Sequence, residues 1–124
     1  MIVAGVGFRA AATSSDIVEI VRRAQRESHR EASGIAAPSF KTQHEGLLAA
    51  VTILGLPLIV IDSARLEAVQ GRCITHSAHA AQATGFASIA EACALAALDD
   101  RATLILSRIA DARATCALAF GDRR

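Results

Sequence analysis

Apolar positions along this chain switch between two spacings. Ile2-Val3-Ala4-Gly5-Val6-Gly7 is an uncharged apolar run that reads as a short strand. From Ser14 to Glu27 the spacing changes: Ile17, Ile20, Val21 and Ala24 recur at i, i+3, i+4 and i+7, one buried face of a helix. Thr13, Ser14 or Ser15 can cap that helix, and Asp16 and Glu19 complement its positive end. After Gly34 comes a second short strand, Ile35 to Ser39, and then a helix over Gln43–Leu54 with Leu47, Ala50, Val51 and Leu54 as its stripe and Gly55 as its stop. Leu56 to Ile61, with Pro57 at its start, is a near-continuous apolar strand of the kind found in sheets covered on both faces. Asp62 or Ser63 caps a short helix ending near Gly71, and a further short helix is read over Ser77–Thr84 with Gly85 as its stop. Ser88-Ile89-Ala90-Glu91 has the S-x-x-E form of a capping box and opens a helix reaching about Leu98. Thr103–Ile109 and Ala114–Phe120 flank a turn at Asp111-Ala112 and read as a hairpin.

Strands alternating with helices predict an α/β fold: a three-layer α/β/α domain over residues 1–124, with a small mixed, mostly parallel sheet and a C-terminal antiparallel hairpin. Composition sharpens this picture. Of the 124 residues 52% are hydrophobic, with only four Phe and no Trp or Tyr, so the core is built from small side chains that favour close helix-on-sheet packing. The same scarcity of aromatics, with a formal net charge of +1, argues against nucleic-acid binding by base stacking or by a global field. Arg22, Arg26 and Arg30 recur every fourth residue, a pattern read first as a solvated helix face; Glu19 and Glu27 each lie four residues from Arg23. Met1 leads straight into a strand without a basic leader, and the longest apolar stretch, Leu47 to Ile61, is broken by Thr52, Gly55 and Pro57 and is shorter than the roughly 20 residues that span a bilayer. These features predict a cytoplasmic protein with no membrane contact. Cys73, Cys93 and Cys116 are odd in number and widely spaced, which fits reduced thiols; Cys93 and Cys116 sit among apolar neighbours as core residues.

Candidate chemistry concentrates at two strand ends. Gly5-x-Gly7-x-x-Ala10 has the spacing of a dinucleotide fingerprint, but the acidic residue expected after a second strand is missing. If the first two strands are parallel neighbours, Arg9 meets the segment Lys41-Thr42-Gln43-His44-Glu45 at the carboxyl edge of the sheet, where open α/β sheets bind ligands. Arg9 and Lys41, the only lysine, can then clamp an anion, and His44 with Glu45 can form an acid/base pair. The competing reading makes Glu45 a first-turn helix residue and His44 a solvated surface histidine. His76 and His79 lack the third and fourth partners a metal would need, so no metal site is predicted; His76 and Ser77 can instead face one cleft. There is no G-x-S-x-G and no P-loop.

The ordered set Gly5-x-Gly7-x-Arg9 with Thr13-Ser14, then Lys41-x-x-x-Glu45-Gly46-Leu47-Leu48, then Leu56-Pro57-Leu58, then Ser88-Ile89-Ala90-Glu91-Ala92 resembles the CobE / CbiG C-terminal domain family of cobalamin (vitamin B12) biosynthesis, from about Val3 to Ala119. The length is that of the family's stand-alone members. The resemblance implies a ligand rather than a protein cofactor: a precorrin or other corrinoid, with any cobalt belonging to that ligand. Gly5, Gly7, Arg9, Thr13, Ser14, Lys41, His44 and Glu45 match its first and second segments. Its late strand often carries Pro-Lys where this chain reads Leu106-Ser107-Arg108, so Arg108 is expected to supply the charge and to join Arg9 and Lys41 at the rim of a cleft. Three functions follow from the resemblance: binding or handling of a precorrin on the aerobic route; an enzyme resembling the cobalt-precorrin lactone hydrolases of the anaerobic route, with His44 and Glu45 as catalytic candidates; or a non-catalytic module contacting other pathway enzymes.

Overall fold

The computed structural model describes residues 1–76 and 88–124; the helix predicted over Ser77–Thr84, and with it Ser77, His79 and Gly85, lies outside the described residues. The elements are β1 (Ile2–Phe8), α1 (Ser14–Ser28), β2 (Gly34–Pro38), α2 (Glu45–Leu54), β3 (Leu58–Ile61), α3 (Ser63–Ala68), α4 (Ile89–Ala96), β4 (Thr103–Ala110) and β5 (Ala114–Phe120), with 3-10 turns at Ser39–Lys41 and Gln70–Arg72. The five strands form one sheet in the order β3-β2-β1-β5-β4. β1–β2 and β2–β3 are parallel; β1–β5 and β5–β4 are antiparallel. The helix crossings β1-α1-β2 and β2-α2-β3 step the same way across the sheet, so a common handedness places α1 and α2 on one face. α3 and α4 cover the other face, giving three layers.

Each face has its own core. Ile17, Val18, Ile20, Val21 and Ala24 of α1 pack with Leu47 and Ala50 of α2 on Ala4, Val6, Ile35, Cys116 and Leu118 of the sheet. Opposite them lies α4, whose residues Ala90 to Ala96 are all buried. A helix apolar but for Glu91 belongs inside a domain, and here glycine sets the depth. A Cβ on Gly5 would stand 2.0 Å from the carbonyl oxygen of Ala90 and 2.5 Å from the amide nitrogen of Ala94. With Ala117 beside Gly5 on β5, the sheet offers a shallow trough into which the alanine-rich helix sinks.

The sheet is covered on both faces, as the apolar run of β3 suggests, with β3 at its edge, where Val60 is 52% exposed; one expectation is revised. Gly5 and Gly7 do not form a turn at the mouth of β1; the strand runs through both to Phe8. Glu27 pairs with Arg23 at 2.9 Å as expected, and no pairing of Glu19 with Arg23 is formed.

All three cysteines are buried and free. Burial raises each thiol pKa, that of Cys73 to about 11, with the Glu91 carboxylate adding to the effect, and that of Cys116 to about 12; Cys93 is also raised. An unfolded thiol ionises near pH 8.5. The unfolded chain therefore loses protons first, and the thiols' contribution to stability, full below pH ~8.5, declines as pH rises towards 11. Ellman's reagent at pH 8 should leave all three unmodified in the native protein and titrate all three in denaturant. Rapid labelling of the native protein would disprove this burial.

Candidate functional site

The turn after β1 and the start of α2 converge because β1 and β2 are parallel neighbours. Ala12 N–H donates to the Arg9 carbonyl at 3.0 Å, tightening the turn that Arg9 opens. Thr13 then caps α1 with a full capping box: Asp16 N–H donates to Thr13 Oγ1 at 3.2 Å, and Thr13 N–H donates to Asp16 Oδ2 at 2.9 Å. That amide bond, with Arg113 3.8 Å away as a further contributor, holds the Asp16 carboxyl below its ordinary pKa.

His44 joins the two segments. Its Nδ1 accepts from Leu47 N–H at 3.2 Å, capping α2, and its Nε2 lies 2.9 Å from the carbonyl oxygen of Ala10 in the β1–α1 turn. This pattern assigns the ring proton to Nε2. The ring also packs on Phe8, centroids 4.8 Å apart and tilted by 59°. Lys41 Nζ stands 5.5 Å from the centre of the same Phe8 ring, within cation–π range. Gly46 permits the approach, since a Cβ there would fall 2.8 Å from His44 Cε1 and 2.9 Å from the Ala12 carbonyl.

Between these segments lies an open cleft of about 490 Å³, lined by Ala10, Ala12, Thr13, Ser14, His44, Glu45, Gly46 and Ala49. Two helix N-termini, of α1 and α2, border it. Such ends favour anions through their unpaired N–H groups and dipoles. Thr13, Ser14, His44 and Glu45 are thus brought together; Arg9 and Lys41 do not line the cleft, Arg9 preceding the lining residue Ala10 in sequence and Lys41 standing over Phe8. His44 is not a merely solvated histidine, and both of its ring nitrogens are already engaged, which removes a free lone pair for general-base work. Glu45 is exposed in the first turn of α2.

Three predicted site residues lie elsewhere. Gly5 faces α4; a Cβ on Gly7 would fall 2.7 Å from Thr115 Oγ1, which donates to the Gly7 carbonyl. Both glycines serve packing and leave the cleft to the turn beyond them. Arg108 does not reach the rim. Ile109 pairs with Cys116, which pairs with Val6, so Arg108 stands level with Gly5, two strands over and about 13 Å short of Arg9 along the strands. Two register shifts in β4 contribute to this offset; at the second, between the pairs Leu106–Leu118 and Ile109–Cys116, Ser107 and Arg108 together oppose Ala117, a bulge.

The bulge exposes a feature of the opposite layer. Glu91 of α4 is fully buried, and among the described residues its carboxylate accepts four hydrogen bonds: Ile74 N–H and Thr75 N–H on Oε1 at 2.8 Å each, Thr75 Oγ1–H on Oε2 at 2.8 Å, and Arg108 N–H on Oε2 at 2.9 Å. Ser88 Oγ does accept from Glu91 N–H at 3.4 Å. The glutamate side chain, however, ties the segment after Arg72 to the bulge in β4.

Comparison with known proteins now decides the family. The model of the family described as "Cobalamin synthesis G C-terminus" matches residues 2–119. The chain belongs to this family. Its fold is similar to that of CobE, described as a protein from the cobalamin (vitamin B12) biosynthetic pathway, with TM-score 0.89 and 31% identity over 96% of this chain and 89% of that one. It is similar to the cobalamin biosynthesis protein chiG from Agrobacterium tumefaciens, with TM-score 0.79 and 33% identity over 98% of both chains. A putative cobalamin biosynthesis protein G homolog from Sulfolobus solfataricus shares the fold at TM-score 0.70 and 19% identity; this chain covers 36% of it. Curated protein sequences yield no significant match. Family membership ties the chain to cobalamin biosynthesis.

For this CbiG C-terminal domain, sequence reasoning passed over Phe8 and misplaced the role of Glu91. Phe8 carried a signal: it is the one aromatic directly beside Arg9 in a chain without Trp or Tyr. Glu91 is the one charged residue in the run Ile89–Leu98, which marks a buried carboxylate as readily as a cap. Among the described residues no three His, Cys, Asp or Glu are grouped to hold a metal, and no helix is long and apolar enough to cross a membrane.

Proposed function

We propose that this chain binds and hands on a precorrin or related corrinoid intermediate of the aerobic route, using the cleft between the α1 and α2 N-termini. The observation that supports this most is the convergence of two helix N-termini on one open cleft, with Arg9 preceding the lining residue Ala10 in sequence and Lys41 over Phe8, whose ring packs on His44. A precorrin is a broad macrocycle fringed with carboxylates. A cleft of about 490 Å³ suits one edge of such a ligand and leaves the rest accessible to a receiving protein. Arg9 offers a planar fork for a carboxylate and Lys41 a point charge. Handling rather than conversion is favoured because His44 already spends both ring nitrogens on holding the cleft together. The corrinoid is a ligand in this reading, and no resident cofactor is invoked.

An absorbance titration with a panel of precorrins and corrinoids, followed by mass analysis of the recovered ligand, tests this. Binding with unchanged ligand mass is expected, and Arg9→Ala with Lys41→Ala should weaken it at least tenfold, as loss of two charged contacts implies. Unchanged affinity in that double variant would sink the assignment of the cleft. Glu45→Gln distinguishes the lactone-hydrolase alternative: removing a carboxylate from an anion cleft should preserve or tighten binding, whereas in an enzyme using Glu45 it would abolish product formation.

A further inference from the structure

The hairpin between β4 and β5 brings a further cation to the cleft's edge of the sheet. Its turn is fixed by Asp111, whose N–H donates to the Ala114 carbonyl at 3.0 Å and whose Oδ1 accepts from Arg113 N–H at 3.0 Å and Ala114 N–H at 2.9 Å. Two bonds dock this turn on the elements around the cleft. Arg9 N–H donates to the Arg113 carbonyl at 2.9 Å, one step beyond the last ladder pair Phe8–Ala114. Arg23 Nη1 of α1 donates to the Ala110 carbonyl at 3.2 Å. From the turn the Arg113 guanidinium reaches the start of α1: its Nη1 lies 3.8 Å from Asp16 Oδ2, the same oxygen that accepts from Thr13 N–H at 2.9 Å.

Two features of this arrangement call for a reason. Asp16 places an anion in the first turn of the helix whose N-terminus borders the cleft. Its capping box accounts for its presence, yet its charge opposes a carboxylate approaching the amides of Ser14 and Ser15, which no intrahelical carbonyl can reach. In addition, Arg9 and Arg113 stand opposite each other at the end of the ladder, where like charges repel. Only one of them has an acidic partner: Arg113 pairs with Asp16, whereas the exposed Arg9 makes no ion pair among the described residues. The Arg113–Asp16 pair is itself half-exposed, its side chains 53% and 29% accessible, so it adds little to stability.

We propose that Arg113 is a positioning residue of the cleft, which neutralises Asp16 and so lets the α1 N-terminus and Arg9 receive a carboxylate with no uncompensated anion beside them. This role rests on the cleft reading proposed above. Arg113 does not line the cleft and acts through Asp16, which is bonded to the lining residue Thr13. An uncompensated charge near a surface site changes an anion's affinity several-fold, and salt reduces the effect.

The test titrates cobyrinic acid, a corrinoid with free peripheral carboxylates, into the ¹⁵N-labelled protein at low salt. Affinity is read by absorbance, and the Thr13 and Ser14 amides are followed by NMR. Arg113→Gln should weaken binding by about threefold to fivefold. Arg113→Lys should bind nearly as the wild type, since the single 3.8 Å contact asks for a charge and not a fork. Asp16→Asn keeps an oxygen for Thr13 N–H and should restore wild-type affinity in the Arg113→Gln background; a merely structural role for Arg113 would give no such rescue. Arg26→Gln, in the last turn of α1, removes the same charge far from the cleft and should change nothing. Unchanged affinity in Arg113→Gln, a double variant as weak as Arg113→Gln, or an equal loss in Arg26→Gln would each overturn the role of Arg113 while leaving the cleft reading in place. A wild-type protein that binds no cobyrinic acid, or binds it without moving Thr13 and Ser14, would instead overturn the cleft reading and this role with it.

Discussion

Gly5→Ala should destabilise this domain by about 3 kcal/mol or more, enough to remove a large part of its stability. The added methyl group would meet backbone on the opposing element: the Ala90 carbonyl oxygen at 2.0 Å and the Ala94 amide nitrogen at 2.5 Å. A flexible side chain could swing aside, but a helix axis can only translate. Moving α4 off the sheet would open the packing of a helix buried from Ala90 to Ala96. Gly71→Ala is the matched control, since nothing lies within 4 Å of a Cβ there and its φ is not positive; its effect should stay within about 0.5 kcal/mol. Urea unfolding followed by circular dichroism measures both. A Gly5→Ala midpoint equal to that of the wild type would mean that α4 does not sit at this depth.

Glu91→Gln should cost about 3 kcal/mol despite being nearly isosteric. The carboxylate offers two oxygens to four donors among the described residues, each a neutral group. Glutamine keeps one oxygen and turns an NH₂ towards the other pair. If that NH₂ takes the Oε2 position, the Thr75 hydroxyl can rotate to accept from it, but the Arg108 amide cannot, and a buried donor is left facing another donor. If it takes the Oε1 position, two backbone amides, of Ile74 and Thr75, are orphaned together. The first arrangement costs less and should prevail, so Thr75→Val in the Glu91→Gln background should add to the loss. Thermal and urea denaturation of the single and double variants check this. An unaltered Glu91→Gln midpoint would show that the bonded cluster contributes nothing to stability.

These two sites also mark where sequence ceases to determine structure by inspection. A cap of α1 among Thr13 to Ser15, the stop at Gly55 and the hairpin after Ala102 were readable, because each depends on residues a few positions apart. The meeting of Lys41, His44 and Glu45 with the turn after Arg9 was also readable, since it required only that the first two strands be parallel neighbours. Lateral order is a different matter. An uncharged strand such as β3 suits a central or an edge position equally until its neighbours are known. Arg108 was expected at the rim because it stands where the resembling family carries Pro-Lys, and its level along the sheet depends on register shifts in β4 that leave no mark in composition. Gly5 and Gly7 have the spacing of a ligand turn, yet what needs Gly5 bare is a helix more than eighty residues later in the chain, and what crowds Gly7 is Thr115 on β5. The S-x-x-E pattern at Ser88 was half right for the same reason: the Ser88 cap is local, whereas the glutamate bonds to segments on either side of it in sequence.

The central pairing of the sheet joins β1 to β5, residue for residue from Ile2–Phe120 to Phe8–Ala114. During synthesis, therefore, the first strand leaves the ribosome with one of its two edges unmatched and stays so until the last strand has followed it out. The parallel half, with α1 and α2, can gather earlier, but the trough that seats α4 has only one wall until then. A chain arrested before Ala114 should thus hold the cleft segments together loosely, and emergence of Ala114–Phe120 should convert that assembly into a cooperative fold.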